Sequence, residues 1–186
     1  MELDKAIKSR HSVRRFSAKK PSYDDIIECI EAANTIPLAG NIPSLKFILV
    51  NDKEKIQKIT QACQQDFVSN ADNLVVVCSD NSQAVRSYGK QGEIYARQQA
   101  GAAIQNFLLR VTDLNLASCW VGAFVEHMIK HILVIPENIN VEAVLPIGYE
   151  MPKQGKQRKK RDLDQVLFFN KWKQKVMKPW KTPEAF

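Results

Sequence analysis

The sequence contains no apolar run near the ~20 residues that a membrane-spanning helix needs. Its opening stretch, MELDKAIKSRHS, has neither an apolar block nor a small-residue cleavage site, so a cytoplasmic protein that does not meet a membrane is expected. Its four cysteines (Cys29, Cys63, Cys78 and Cys119) form no CxxC pair, which argues against a zinc site or redox dithiol. Three of them stand among apolar neighbours and read as small core residues in a reducing compartment. GxGxxG and GxxxxGK[ST] are both absent, so a phosphate-bearing ligand needs some other cradle. His127 and His131 are four apart on a predicted helix, a metal-compatible spacing, yet no acid or cysteine completes a set and HExxH is missing. No metal is expected.

What is present is an ordinary globular composition, 45% hydrophobic and 25% charged over 186 residues. That is enough chain for one compact domain with its own core. The net charge of +7 is uneven: residues 153–186 carry 11 Lys and Arg against 3 Asp and Glu, while residues 1–152 are close to neutral. By itself such a tail suits nucleic acid, an anionic membrane surface, a single phosphate, or plain solvation. Trp172, Trp180 and Phe186 within it could stack on single-stranded bases.

Periodicity predicts a short helix over the first ten residues, then a second helix in SYDDIIECIEAANTI with Ser22 as N-cap and Asp25 three residues on. LAGNIPS reads as loop. Residues 46–50 read as a strand, 53–67 as a helix, and 74–78 as a strand buried on both faces. Residues 81–92 read as loop or frayed helix, and 93–115 as a long helix rich in small residues. Strand or strand–turn is expected over 116–124, a short helix over 125–133, a strand broken by Pro146 and Gly148 over 143–149, and a last strand over 166–169. Alternating helices and strands imply an α/β or α+β domain around one sheet.

Arg10-His11-Ser12-Val13-Arg14-Arg15-Phe16 is the densest chemical segment. Arginine forks match phosphate oxygens, and in an extended chain Arg10, Ser12 and Arg14 share a face. The same residues could equally form a solvated basic loop.

RHSVRRF resembles the R-[HR]-S-x-[RK]-x-F opening of the flavin-dependent nitroreductase family. AGNIPSLKFILV resembles that family's loop and strand, GAAIQNFLLRVTDLNLASCWVGAF its central helix and following strand, IPENINVEAVLPIGYEMP its later strand, and RKKRDLDQVLFFNKW its basic closing motif. The five occur in family order over about residues 3–172. The resemblance implies an α+β, three-layer α/β/α fold with a mostly antiparallel sheet, in an intertwined homodimer. It implies one FMN-binding domain over residues 1–186, with a basic C-terminal arm from about 153.

It further implies FMN as cofactor and NAD(P)H as reductant, with hydride passing through the flavin to a nitroaromatic, quinone or other small acceptor. No nucleic-acid partner and no catalytic side chain are then expected. Arg10, His11 and Ser12 match positions at the ribityl phosphate, and Arg14 a cation beside the flavin pyrimidine. Asn41 matches a ring contact made from the partner chain, and Gln65 a flavin-contacting glutamine. Pro146, Ile147 and Gly148 match a strand whose N–H groups face the flavin. Lys160 and Arg161 match the phosphate cations, and Phe124 a wall of the substrate pocket. Departures touch the acceptor: Pro43-Ser44 stands where Gln-Pro is usual, Leu45 replaces a common tryptophan, and PIGY lacks the acidic residue of one branch. The rival readings are a relative with other flavin chemistry, reductive dehalogenation or flavin fragmentation, and an anionic-surface or nucleic-acid binder using the tail.

Overall fold

A computed structural model describes residues 1–152 and 162–176. Chain contacts divide it into Met1–Pro152 and Lys153–Phe186. The first unit holds helices α1 (Leu3–Ser9), α2 (Tyr23–Asn34), α3 (Lys53–Cys63), α4 (Ser82–Tyr88), α5 (Lys90–Asp113) and α6 (Glu126–Leu133). Its strands are β1 (Leu45–Val50), β2 (Asn73–Ser79), β3 (Ala117–Ser118) and β4 (Asn140–Gly148).

The helix boundaries follow local chemistry. The Ser22 hydroxyl accepts the Asp25 N–H at 3.0 Å, and the Asp52 carboxylate accepts the Lys55 N–H at 3.0 Å; each satisfies a donor that the first helical turn leaves open. Helix α3 stops at Cys63 because Gln64 is left-handed, with φ 52°. The expected continuation to Phe67 is instead a 3-10 turn, Asp66–Asn70. Residues 82–88 form a true helix rather than a loop. It was hard to see because Ala84 is its one buried residue.

The strands lie in the order β1-β2-β4-β3, every pair antiparallel. Strand β2 is buried from Leu74 to Ser79 and alternates between two cores. Val75 and Val77 face a layer containing Ile26, Cys29, Ile104 and Phe107 of α2 and α5. Leu74, Val76 and Cys78 face Ile56, Ile59 and Ile129 of α3 and α6. Each such apolar side chain contributes roughly 1.5–3 kcal/mol on burial. The architecture is therefore α+β in three layers, as expected. The helix α5, 24 residues long and roughly 36 Å, packs with α2 across one face. A tight corner joins α4 to α5: a Cβ on Gly92 would stand 2.3 Å from the Ala84 carbonyl group.

Strand β4 begins at Asn140 and runs through Pro146 without a break. Only Ala117–Ser118 of the expected strand over 116–124 is regular, with one further bridge, Val121 to Val144. In the second unit residues 166–169 are not a strand; they follow a 3-10 turn, Leu163–Gln165. Phe168 and Trp172 stack there with ring centroids 4.8 Å apart, and Lys175 lies over Phe168.

Candidate functional site

Residues 10–17 leave α1 and run as an extended segment along the β3 edge of the sheet. The Val13 N–H donates to the Ser118 carbonyl at 3.0 Å, the Ser17 N–H to Tyr149 at 2.8 Å, and the Met151 N–H to Arg15 at 3.0 Å. Val13 and Phe16 are buried with Ala71 and Ala117, and Phe67 packs against them. A Cβ on Gly148 would come within 3.1 Å of the Phe16 ring, so glycine is what lets the segment lie this close. Side chains alternate accordingly: Val13 points inward, Ser12 and Arg14 outward. The Arg14 guanidinium lies 5.6 Å above the centre of the Phe67 ring, close enough for a cation–π contact. Arg10 lines a cavity of about 250 Å³ with Lys5, His11, Asn115, Ser118 and Glu150.

The opposite rim is residues 118–124, and its shape follows from one proline. The pairs Ala117–Gly148, Ser118–Ile147 and Val121–Val144 share one register. That register sets Cys119 opposite Pro146 and Trp120 opposite Leu145. Val121 and Val144 exchange both backbone bonds at 3.0 Å. In an antiparallel ladder the next such exchange would fall two residues on, at Cys119 and Pro146, where proline has no N–H to give. The ladder lapses there, Trp120 turns out with 42% of its surface exposed, and Gly122 and Ala123 are exposed beside it. Gln65 joins this rim, its side-chain amide 3.4 Å from the carbonyls of Cys63 and Ala123.

This corrects the expectation for Pro146, Ile147 and Gly148. All three are buried within one chain, in a strand paired with β2 and β3. Ile147 and Gly148 pair within the sheet, and Pro146 has no N–H at all. The open backbone at this place is Cys119–Trp120 and Gly122–Ala123, on either side of the paired Val121, which sequence reasoning did not single out. A proline inside a central strand was the signal available for it. Glu150 was missed as well. His11, expected at a phosphate, has Nδ1 2.8 Å from the Ser9 carbonyl and Nε2 3.1 Å from both Glu150 carboxylate oxygens.

Phe124 is half-buried and packs in part against the α3–α6 core, at the end of the open rim. Asn41 is exposed in a turn ahead of β1. That is the sheet edge opposite β3, three strand spacings or roughly 14 Å away, so one chain does not bring Asn41 to Arg14. Lys160 and Arg161 lie outside the described residues.

The electrostatics are one-sided. Among the described residues Arg10, Arg14 and Arg15 make no ion pair, and the Ser118 hydroxyl is buried without a hydrogen-bond partner. Burial pushes the Cys119 thiol up, while Arg14 and a hydrogen bond with Ser12 pull it the other way. A rim of arginine forks unpaired among the described residues, beside open backbone, is a donor set for an anionic, planar, hydrogen-bond-accepting ligand.

The sequence profile of the Nitroreductase family matches residues 7–83 and 61–149. A protein of Archaeoglobus fulgidus that bears the name NADH dehydrogenase/NAD(P)H nitroreductase is 34% identical over 153 residues, covering 80% of this chain and 85% of its own. A nitroreductase family protein from Clostridium novyi NT is 27% identical in sequence; its crystal structure superposes with a TM-score of 0.74, covering 94% of this chain and 96% of its own. An iodotyrosine deiodinase of Thermotoga neapolitana is 22% identical over 76% of this chain and 85% of its own. The chain belongs to the nitroreductase family, and it is an oxidoreductase.

Proposed function

We propose that the chain is an FMN-dependent NAD(P)H oxidoreductase of nitroreductase type, with its flavin between the Arg10–Arg14 segment and the Cys119–Phe124 rim. The carrying observation is the pairing of unpartnered arginines at Arg10 and Arg14 with a stretch of backbone that Pro146 leaves open. When bound, the flavin supplies the redox chemistry, taking hydride from NAD(P)H and passing electrons to a small acceptor in the same pocket.

The protein's own part is binding, orientation and charge. Arg10 and Ser12 hold the phosphate and ribityl chain. Arg14, backed by Phe67, places a fixed cation beside the pyrimidine, where negative charge develops on reduction. Gln65 and the Cys119–Ala123 backbone meet the ring edge, and Phe124 walls the acceptor pocket. Asn41 serves the site of a second copy, which its place at the far sheet edge supports. The working unit is then a homodimer. Its place is the cytoplasm, in keeping with buried thiols such as Cys29, which desolvation and nearby Asp25 push up to about 12.

The visible spectrum of the purified protein, before and after anaerobic addition of NADH or NADPH, tests this reading. A flavin spectrum that bleaches with one donor is the expected result. A colourless protein that takes up no added FMN overturns it.

A further inference from the structure

The segment bearing Arg10, Ser12 and Arg14 is held unevenly. Its C-terminal half is pinned by the backbone bonds of Val13, Arg15 and Ser17 to Ser118, Met151 and Tyr149. Its N-terminal half has no such support: His11 and Ser12 make no backbone–backbone hydrogen bond among the described residues. At its start the Arg10 N–H donates to the Ala6 carbonyl at 3.0 Å, and the Ser12 side chain meets the Cys119 thiol; between them the His11 side chain reaches the Ser9 carbonyl on one side and the Glu150 carboxylate on the other.

Glu150 closes the loop in two ways at once. Its backbone bridges to Phe16, and its side chain reaches back to His11. Both side chains are about one-third exposed, so the contact is only partly screened. Both ring nitrogens face oxygen acceptors, so the ring donates to both only when each nitrogen carries a proton. Lys5 and Arg10 line the same cavity. Among the described residues Glu150 is the carboxylate within bonding distance of His11.

We propose that Glu150 is a positioning residue for cofactor binding: through His11 it fixes the Arg10–Ser12 stretch in the shape that receives the FMN phosphate and ribityl chain. Glu150 touches no reacting atom. It acts on affinity by removing freedom that the segment would otherwise lose on binding. The proposal rests on the FMN reading above.

The test is an FMN titration by flavin fluorescence of the wild type, Glu150→Gln, His11→Asn and the double variant, with thermal midpoints measured alongside. Glu150→Gln should weaken FMN about five- to tenfold, a coupling usual within one hydrogen-bond network, with the thermal midpoint of the FMN-free protein little changed. The double variant should bind no more weakly than His11→Asn alone. Saturating FMN should restore the rate of NAD(P)H-driven flavin bleaching in Glu150→Gln, a split that general damage to the fold would not give. FMN affinity within twofold of wild type in Glu150→Gln, or losses that simply add in the double variant, overturns the proposal and leaves the FMN reading intact. A wild type that binds no FMN removes the reading itself.

Discussion

Arg14 is an exposed arginine with no carboxylate partner among the described residues, backed by an aromatic ring. Left unpaired at a rim, its guanidinium is free to meet a ligand. Arg14→Ala should leave the fold unaltered and slow flavin reduction by NAD(P)H on the order of tenfold or more, read as bleaching in anaerobic stopped flow. An unchanged rate removes its role beside the pyrimidine. At this scale sequence was informative where a residue acts with its near neighbours: the Ser22 cap and the outward alternation of Ser12 and Arg14 were both readable. It was uninformative where the partner is remote. Nothing local to RHSVRRF announces that His11 turns to Glu150, because 139 residues separate them.

At the scale of elements, boundaries failed where a single residue overruled a pattern. Apolar spacing carried the third helix to Phe67, but the left-handed Gln64 ended it at Cys63. The apolar run over 116–124, read as strand or strand–turn, is the latter: a strand exists only where a neighbour can pair, and the neighbour offers Pro146. Helix α4 settles residues 81–92, read as loop or frayed helix, for helix over Ser82–Tyr88, although Ala84 is its one buried residue. The corner between α4 and α5 makes a sharp prediction. Gly92→Ala would push a methyl into the Ala84 backbone, which cannot yield as a flexible side chain can, so it should cost ~1–3 kcal/mol by denaturant titration. Gly101→Ala, in the same helix but with no neighbour closer than 4.0 Å to the added carbon, should be neutral or slightly stabilising, because glycine is a poor helix former. Equal losses at both positions would show that helix propensity, not the corner, sets the cost.

For the whole molecule, the three layers and their order could be anticipated from five motifs in sequence; the expectation of a mostly antiparallel sheet came with the family resemblance rather than from periodicity, and every pair proved antiparallel. A continuous apolar run such as residues 74–78 signals burial on both faces, whatever the direction of its neighbours. The proposed site is split across the first unit, with the Arg14 rim at one sheet edge and Asn41 at the other. Leu3, Ile7, Ile94 and Trp120 are exposed large apolar side chains on the single chain. The expected state by light scattering is therefore a particle of twice the chain mass. A monomer carrying a full complement of FMN would take away the role given to Asn41.

Pro146 has one consequence beyond the site. An exposed strand edge is a template, and a stranger's chain can extend it without limit. On the β3 side the regular edge is two residues long and lapses where the proline stands, too little ladder for another strand to hold. The missing N–H that leaves a rim open to a small ligand thus also guards that flank of the sheet against aggregation.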